Sequence, residues 1–427
     1  SFSLPVDSEN KATAFRPFSI SQPHMLAFHL AWISLFSNFF ATFSIPPLIP
    51  VIRRHVGLTD ADIGAAGVAS FLGSIFSRLA MGPICDAFGP RAASAAVSFA
   101  TAPAVLSVGF VSTARGFIAA RFLIGLSLAN FVAFQFWMSS MFSGEVIGAA
   151  NGVLSGWALT GSGFTQLAMP AMYSSFLIGA LGLKSSTALR VAFTFPAAFQ
   201  TIAAVLVLAL GRDSPGRTKK RNPTRLLLLR SGLLDYRAWI LAAVYGSCFG
   251  VELTAENVIA GYFHRRFGLD VRTAGAAASC FGLANAVSRP GGGWVSDEMG
   301  RRFGMRGRLW SLWAVLTAAG WLCFCMGRMN SLWSSVAVMC CFSLFVQAAS
   351  GLTFGVVPFL SDGSTAVVTG ITATGGAIGA VLMQSILFSG RDPAMSTQNS
   401  ISIMGILMVI TALSISFIYF QDSGGMF

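Results

Sequence analysis

The sequence predicts an all-α integral membrane protein, with twelve transmembrane helices in two pseudo-symmetric bundles of six. Three observations predict this architecture. The 427-residue chain is 54% apolar and only 10% charged, which is a membrane protein's composition. Its apolar stretches are long enough to cross a bilayer. One charged motif recurs at the same position in both halves.

Twelve apolar stretches can each cross the ~30 Å of hydrocarbon, which takes about 20 residues of helix. Lipid cannot satisfy backbone N–H and C=O groups, and strand patterns are absent, so these stretches are expected to be helices. In chain order the predicted spans are 25–49, 63–85, 92–113, 116–142, 146–173, 188–211, 238–262, 273–296, 309–327, 331–359, 364–389 and 398–420.

Polar segments divide the chain into five parts. The N-terminal segment, 1–24, has no charged region followed by an apolar core, so we expect no cleaved signal peptide there. An N-terminal bundle, 25–211, and a C-terminal bundle, 238–421, are joined by a linker, 212–237, that holds eight Lys and Arg residues. Residues 422–427 begin a C-terminal tail.

The basic linker orients the molecule. Lys and Arg are enriched in cytoplasmic loops near helix ends, so we place the linker in the cytoplasm. Six spans separate the linker from each terminus, and an even number of spans returns the chain to the same side, so both termini are expected in the cytoplasm as well. Attraction to anionic lipids of the bilayer explains the net charge of +12. The basic residues are scattered over loops, so no nucleic acid partner is expected. The plasma membrane and the vacuolar membrane both remain open as locations.

The Cys and His residues, which could form a metal site, a disulfide framework or a catalytic site, are scattered along the chain. The seven Cys all lie in or at the ends of apolar spans, and the four His are far apart in sequence. This pattern favours packing of the thiols over a disulfide framework or a metal site. We therefore expect no enzyme activity, no metal and no cofactor.

A charged motif in the second span has a copy in the eighth. "SRLAMGPICDAFGPR", Ser77–Arg91, and "SRPGGGWVSDEMGRR", Ser288–Arg302, share six distinctive residues at a constant offset of 211 positions. Two copies at the same place in each six-span half are typical of transporters built from parallel repeats. The sequence therefore predicts a duplicated six-plus-six carrier.

The copied motif places one arginine of each half deep in the membrane. Arg78 and Arg289 each precede the motif's Asp by eight residues, or about 12 Å of helix against a half-thickness of ~15 Å. A lone cation near the midplane is costly and usually marks a substrate or ion pathway. The alternative is an ion pair that only holds the bundle together. Glu252 and Glu256 alone cannot easily compensate the charges of both arginines, so we expect a bound anion. The planar guanidinium group, with its paired N–H donors, matches a small planar oxyanion.

The two carboxyl groups of the seventh span are candidates for proton coupling. Glu252 and Glu256 lie one turn apart, and burial favours the protonated form of a carboxyl group. A fixed ion pair with a buried arginine, such as Arg121 or Arg289, is the alternative. Both interpretations stay open at this point.

Four further side chains lie at depths that suit a substrate pocket. Aromatic rings can sandwich a flat anion, although Phe in an apolar helix is more often core or lipid-facing, and amide or hydroxyl groups can donate hydrogen bonds to it. The candidates are Phe134, Gln135, Tyr245 and Gln347.

Several runs carry a family resemblance. "GPICDAFGPR" resembles the G-x-x-x-D-x-x-G-x-R loop motif of the major facilitator superfamily. Longer runs resemble its nitrate/nitrite porter branch, especially plant high-affinity nitrate transporters: "AGVASFLGSIFSRLAMGPICD", "FLIGLSLANFVAFQFWMSSMF", "GVELTAENVIAGYF" and "RRFGMRGRLW". The similarity spans essentially the whole chain. It implies the major facilitator fold and a small inorganic anion, nitrate or also nitrite, as substrate.

The resemblance also implies roles for residues. In that family the arginines of the second and eighth helices clamp nitrate, which assigns this role to Arg78 and Arg289. The family's Gly-rich nitrate signature appears here as "GWALTGSGFTQ" (156–166) and "GGAIGAVLMQ" (375–384), and it adds Gly161 and Gly379 as substrate-binding positions.

This sequence departs from the signature at two positions that line the pocket. An Asn that is usual in each copy is replaced by Leu159 and by Ala377. The loss of two amides makes the pocket more apolar. A carrier of the same fold for a different anion therefore remains an alternative, as does a nitrate-binding sensor.

The loop motif has its own expected role at the cytoplasmic edge. An Asp there can cap the positive N-terminus of a neighbouring helix, and an Arg can pair across the gate. In the family this network holds the cytoplasmic side shut. The predicted gating residues are Asp86, Gly89, Arg91, Asp297, Gly300 and Arg302.

Nitrate uptake into a negative interior is uphill by ~2.3 kcal/mol per 100 mV, so it needs a co-moving cation. The family's usual solution is proton symport by alternating access. The expected partners are thus the anion, the proton and the lipid bilayer, and the resemblance adds a small accessory membrane protein of the kind that plant relatives often need.

Overall fold

The computed structural model describes residues 3–143, 146–213, 233–360, 365–388, 396–420 and 424–427. Of residues 86, 358 and 365–367 it describes the backbone alone. Residues 214–232 of the predicted linker therefore lie outside the described residues, as do residues 421–423 where the tail was expected to begin.

The N-terminal half forms one spanning helix for each of its six predicted spans. The bounds are α1, His24–Phe43 and Ile49–Val56 joined by the 3-10 turn Pro46–Leu48; α2, Asp60–Phe88; α3, Pro90–Ser107; α4, Ala114–Gly125 and Asn130–Met141 joined by the 3-10 turn Leu126–Ala129; α5, Ile147–Pro170 continued by the π-helical segment Ala171–Ala180; and α6, Ser185–Leu210.

The C-terminal half repeats this plan and ends in a small hairpin of two antiparallel strands. The bounds are α7, Tyr236–Phe267; α8, Val271–Leu283 continued to residue 303; α9, 305–326; α10, Leu332–Val356; α11, Thr365–Leu387; α12, Thr397–Leu413; β1, Tyr419–Phe420; and β2, Gly424–Gly425. The predicted all-α membrane architecture is confirmed, with twelve long helices among the described residues.

Most of these helices have the length and hydropathy of membrane spans. Among the described residues, ten helical stretches are long and apolar enough to cross a bilayer, and the longest, Val271–Met326, contains both α8 and α9. Helix α5 is not one of the ten because its many Gly, Ser and Thr residues lower its hydropathy. Its polar and small residues serve contacts with other helices instead.

The boundary between α8 and α9 differs from the prediction. The eighth span was expected to end at residue 296, but the helix continues through the polar segment "DEMGRR" and turns at Gly304, whose φ is 63°. Glycine adopts a positive φ without a steric penalty. The charged residues of the copied motif therefore lie on about two extra turns of helix rather than in a loop.

Short connections make successive helices antiparallel, so the helix ends lie on two faces. We call the end that contains His24, Gly89 and Trp310 the terminal face, and the end that contains Gly57 and Gly268 the distal face. Caps start the helices at the distal face: the Thr59 side chain accepts from the backbone N of Asp62, and the Asp62 side chain accepts from the backbone N of Thr59.

The N-terminal segment lies against the terminal face. The backbone N of Ala12 donates to the Met141 carbonyl (2.9 Å), and the backbone N of Ser143 donates to the Ala12 carbonyl (3.0 Å). Ala12 is fully buried by this contact. The segment thus covers the end of α4 and the chain that leads into α5.

The two halves meet along two helix pairs, α2 with α11 and α5 with α8. Glycines allow the backbones of the second pair to touch. A Cβ atom on Gly163 would lie 2.3 Å from the backbone N of Leu283, and one on Gly156 would lie 2.8 Å from the Asn285 carbonyl. Such small-residue contacts are how membrane helices approach closely. The seam between the halves is where the charged side chains lie.

Candidate functional site

Arg78 of α2 lies in this seam and is 2% exposed. Its Nε donates to the Leu128 carbonyl of α4 (3.3 Å), and its Nη1 donates to the Ala373 carbonyl of α11 in the other half (2.7 Å). Nη2 is buried and has no hydrogen-bond partner. Among the described residues no carboxylate forms an ion pair with Arg78, so its charge is uncompensated and one of its donors is unused.

Arg289 of α8, also buried, is compensated. Its Nη2 donates to Oε2 of Glu252 on α7 (2.6 Å), and its Nε donates to Oδ1 of Asn285 (2.8 Å). Asn285 Nδ2 donates in turn to Oε1 of Glu252 (2.8 Å). The three side chains form a closed hydrogen-bonded triangle. Of the two arginines considered as partners for this carboxylate, the structure pairs it with Arg289 and not with Arg121.

One aromatic ring links the two arginines. The guanidinium carbons of Arg78 and Arg289 lie 5.3 Å and 5.0 Å from the centroid of Phe249 on α7, a distance typical of cation–π contacts. Tyr245 stacks on the same ring with a centroid distance of 4.9 Å, and Phe131 of α4 stacks on it at 5.8 Å. The rings hold both cations at one level of the seam.

Tyr245 is fully buried within electrostatic range of both guanidinium groups, and its hydroxyl makes no hydrogen bond of good geometry. The ring fits because Gly376 of α11 leaves room for it: a Cβ atom there would lie 2.8 Å from Tyr245 Cδ1 and 2.7 Å from Phe249 Cδ1. A hydroxyl and a guanidinium donor without partners thus lie in the same buried region.

Glu256, one turn beyond Glu252 on α7, points to the other half of the molecule. Its Oε1 accepts a hydrogen bond from the Ser162 hydroxyl of α5, while its Oε2 is buried without a partner. Gln166 Nε2 of α5 donates to the Glu256 carbonyl (2.9 Å). Among the described residues no cation pairs with this carboxyl group, in contrast to Glu252.

The centre of the seam is closed to both faces, because Arg78, Arg289, Glu252 and Glu256 are each no more than 2% exposed. One carboxylate compensates one arginine there, and a second arginine is left with an unused donor. The arrangement can hold a small anion against Arg78, next to Tyr245 and Phe249. It can also hold a proton on Glu256.

Comparison with known proteins gives this seam a context. A model of the Major Facilitator Superfamily matches residues 31–384. The chain is 56% identical to high affinity nitrate transporter 2.7 of Arabidopsis thaliana, over an alignment that covers 99% of this chain and 89% of that protein. It is 49% identical to high-affinity nitrate transporter 2.3 of Oryza sativa subsp. japonica, covering 100% of this chain and 83% of that protein.

The chain belongs to the high-affinity nitrate transporter family of the Major Facilitator Superfamily.

The fold agrees with this family. A bacterial homologue of the human lysosomal transporter Spinster, solved in an inward-facing and unoccupied conformation, superposes with a TM-score of 0.68 at 15% identity, covering 92% of this chain and 96% of that one. The predicted resemblance to plant high-affinity nitrate transporters is confirmed.

The two departures from the family's signature lie beside the charged groups. Ala377 follows Ala373 by one turn of α11, so it shares a helix face with the carbonyl that accepts from Arg78. Leu159 precedes Ser162 on α5, and its carbonyl oxygen lies 2.7 Å from the Ser162 hydroxyl oxygen. Both side chains are fully buried. They stay predicted pocket positions.

The signature glycines pack differently in the two halves. Gly161 lies against α1, where a Cβ atom would be 2.5 Å from the Phe36 carbonyl. Gly379 lies against α7, where a Cβ atom would be 2.2 Å from the Gly246 carbonyl. Neither is placed by these contacts against a guanidinium group. Of the signature glycines of α5, Gly156 and Gly163 face the other half, whereas on α11 Gly376 makes room for the aromatic side chains of α7.

Three further predicted pocket residues make hydrogen bonds or ring contacts with groups other than the arginines. Gln347 of α10 uses its Nε2 to donate to the Phe281 carbonyl of α8 (2.6 Å). Phe134 stacks on Trp137, with a centroid distance of 6.1 Å, inside the core of the N-terminal half. Gln135 is 4% exposed, and its carbonyl accepts from the Ser139 hydroxyl. The ring of this part of α4 that contacts Arg78 is Phe131, at 5.6 Å.

The predicted gate residues of the N-terminal half contact their own half. Arg91 Nη1 donates to the carbonyls of Leu208 (3.0 Å) and Gly211 (3.1 Å) at the end of α6, and its backbone N donates to Asp213 Oδ1 (3.0 Å). Gly89 has a φ of 86° and leaves room for the same carboxylate. The side chain of Asp86 lies outside the described residues, so its gating role stays a prediction.

The copy of this motif in the C-terminal half reaches across the seam. A Cβ atom on Gly148, in the first turn of α5, would lie 3.0 Å from Asp297 Oδ2, so this carboxylate lies near the positive end of the α5 dipole. Asp297 Oδ1 accepts from Arg308 Nη1 of α9 (2.8 Å). Gly300 leaves room for the Arg308 guanidinium, whereas Arg302 pairs with Glu298 on its own helix. Arg308, rather than the predicted Arg302, is therefore the arginine that contacts Asp297 in this motif.

Sequence reasoning missed three residues of the seam: Phe249, Ser162 and Asn285. Periodicity carried a signal for two of them. Phe249 lies one turn after Tyr245, and Asn285 lies one turn before Arg289, so each shares a helix face with a predicted site residue.

Proposed function

We propose that the chain carries nitrate across a membrane and binds it between Arg78 and Arg289. The observation that supports this best is the Arg78 guanidinium, which is buried, has no carboxylate partner among the described residues and keeps Nη2 without a hydrogen bond. A membrane-buried cation in this state is stabilised by an anion. The relatives named as nitrate transporters supply the identity of that anion.

The shape of the site suits a flat anion. Both guanidinium groups lie within cation–π distance of Phe249, so an anion between them has donors at its edges and an aromatic ring at its face. Guanidinium forks match paired oxygens of a planar oxyanion. Tyr245 adds a hydroxyl without a good partner.

We propose that transport proceeds by alternating access, with the terminal face in the cytoplasm. In this structure the seam is closed at both faces: Arg265 Nη1 pairs with Asp60 Oδ1 (3.1 Å) at the distal face, and Asp297 lies at the first turn of α5 at the terminal face. The two sets of contacts join different helices, so rocking of the halves can open one set while the other remains.

Proton symport is proposed to use Glu256. Glu252 is held in the triangle with Arg289 and Asn285, whereas Glu256 has no cationic partner among the described residues and keeps one oxygen without a hydrogen bond. A buried carboxyl group without a compensating cation is stabilised by a proton. Because its hydrogen bond to Ser162 crosses the seam, the charge of Glu256 is coupled to the contact between the halves.

Nitrate binding tests the proposed substrate. We expect the melting temperature of the purified chain in detergent to rise with nitrate concentration, since a ligand at about 100 times its Kd stabilises by about 2.7 kcal/mol. Sulfate and chloride at equal ionic strength are expected to have no such effect. Equal shifts with chloride would favour a carrier for another anion, and binding without nitrate counterflow in proteoliposomes would favour the sensor.

The signature departure provides a gain-of-function test. Ala377→Asn places an amide one turn from the carbonyl that accepts from Arg78, so we expect it to tighten nitrate binding about 10–100-fold, the value of one hydrogen bond to a charged group. Ala377→Leu adds bulk without a donor and is expected to weaken binding. Unchanged nitrate affinity in Ala377→Asn, with tighter binding of another anion, would contradict nitrate as the substrate.

A further inference from the structure

A third buried arginine has no part in the proposed binding of nitrate. Arg121 of α4 is 3% exposed. Its Nη1 donates to the Thr42 carbonyl of α1 (3.1 Å), and its Nη2 donates to Asn257 Oδ1 of α7 (2.8 Å). Both acceptors are neutral. Among the described residues no carboxylate forms an ion pair with it, so a full positive charge is buried in the membrane without a counter-charge.

Arg121 lies in the seam between the halves. Its partner Asn257 belongs to the C-terminal half and donates through Nδ2 to Gln384 Oε1 of α11 (3.2 Å). Gly67 of α2 borders the same group, since a Cβ atom there would lie 2.7 Å from Asn257 Nδ2. Helices α1 and α7 thus contact the guanidinium directly, and α2 and α11 border the Asn257 side chain to which it donates.

This position is on the distal side of the paired arginines. Arg121 is seven residues after the start of α4 at the distal face, and a further seven residues separate it from Leu128, whose carbonyl accepts from Arg78. Seven residues of helix correspond to about 10 Å. An anion that enters from the distal face therefore passes Arg121 before it reaches Arg78.

Opening of the distal face would expose this cation. Thr42 belongs to the same half as Arg121, so that hydrogen bond can persist, but the one to Asn257 joins the two halves and has to break when they separate there. The freed Nη2 then faces the opened path. A cation in a low-dielectric cleft raises the local concentration of anions and their rate of association.

We propose that Arg121 is a second anion-binding position, which holds a small inorganic oxyanion on its way from the distal face to Arg78 and Arg289. This inference rests on the proposed function, because it assumes the same anion and the same path. It assigns to Arg121 a role in capture of the anion rather than in the final binding site.

The competing role for Arg121 is that of a strut that only joins the halves through Asn257. The two roles predict different behaviour of Asn257→Ala, which removes the hydrogen bond across the seam and keeps the cation. A strut predicts that Asn257→Ala and Arg121→Gln have the same effect on transport. A capture position predicts that Asn257→Ala leaves nitrate affinity at the distal face unchanged or improves it.

The test is sided nitrate transport in right-side-out and inside-out vesicles from cells that express the full chain, with equal amounts of folded protein established by size-exclusion chromatography. We expect Arg121→Gln to raise the KM at the distal face about tenfold, with the KM at the terminal face and the maximal rate both within about twofold of the starting protein. Arg121→Lys keeps the charge, and we expect it to have most of the nitrate affinity of the starting protein at the distal face. This second variant keeps the proposal testable if Arg121→Gln fails to fold.

An unchanged distal KM in Arg121→Gln would overturn the proposal, as would an equal rise in KM on both faces or the same rise in Asn257→Ala. These outcomes are separate from failure of the proposed function. If the unsubstituted chain moves no nitrate in either kind of vesicle, the proposed function fails before any variant is compared.

Discussion

Arg78→Lys is expected to lower nitrate uptake into proteoliposomes by about 30–100-fold. Two of the Arg78 nitrogen atoms are committed to the carbonyls of Leu128 and Ala373, and the third is left for an anion. A lysine ammonium is one point charge, which these carbonyls would occupy. A hydrogen bond to a charged group contributes about 1.5–3 kcal/mol, so loss of one contact to the anion gives this range.

The matched control is Arg190→Lys on α6, where the guanidinium lies over the Phe110 ring (5.1 Å) on the exposed surface of the N-terminal half. It makes the same chemical change far from the seam, and we expect uptake within about twofold of the unsubstituted protein. Nitrate uptake near the starting level in Arg78→Lys would contradict the role proposed for this arginine.

Glu256→Gln is expected to abolish accumulation of nitrate driven by a proton gradient while nitrate counterflow continues within about threefold of its starting rate. Gln keeps the size of the side chain and can still accept from Ser162, but it cannot gain or lose a proton. Without a co-moving proton, nitrate uptake against a negative interior is uphill by about 2.3 kcal/mol per 100 mV. Loss of accumulation with retained exchange is the signature of an uncoupled symporter.

Ser162→Ala separates this effect from the hydrogen bond across the seam. It removes the hydroxyl that contacts Glu256 and leaves the carboxyl group in place. We expect this variant to accumulate nitrate, with a changed rate. Accumulation by Glu256→Gln that equals that of the unsubstituted chain would move the coupling role to another residue.

That the two arginines lie at one level of the seam could be predicted from sequence, because it depends only on helix geometry and on the position of the copied motif. Eight residues of helix separate each arginine from the motif's Asp by about 12 Å, whatever the side chain contacts. The sequence did not decide whether a carboxylate of α7 pairs with Arg121 or with Arg289, because helix spacing does not say which face of α7 points to α8. Contacts between α7 and α8 decided it.

The aromatic ring that links the arginines could not be placed from periodicity alone. Phe is abundant in this chain, with 38 residues, so a single Phe on a suitable face has little predictive value. Phe249 acquires its position because Gly376 on α11 lets α7 approach closely. That is a tertiary contact between segments more than 120 residues apart in the chain.

The gate of the C-terminal half shows why a sequence repeat is an incomplete guide. The copied motif suggested that Arg302 would act as Arg91 does, but the turn at Gly304 reverses the chain and brings Arg308 of α9 back to Asp297. In the N-terminal half the corresponding turn is tight at Gly89 and Arg91 binds the end of α6. The two halves share a motif but close it with different arginines.

We propose that this chain moves nitrate together with protons. The most direct measurement is uptake of labelled nitrate into proteoliposomes that contain only the purified chain, with and without an inward proton gradient, against empty liposomes and in competition with chloride and sulfate. We expect uptake that rises with the proton gradient and is unaffected by chloride or sulfate at equal ionic strength. Nitrate uptake equal to that of empty liposomes, or inhibited as strongly by chloride as by unlabelled nitrate, would contradict it.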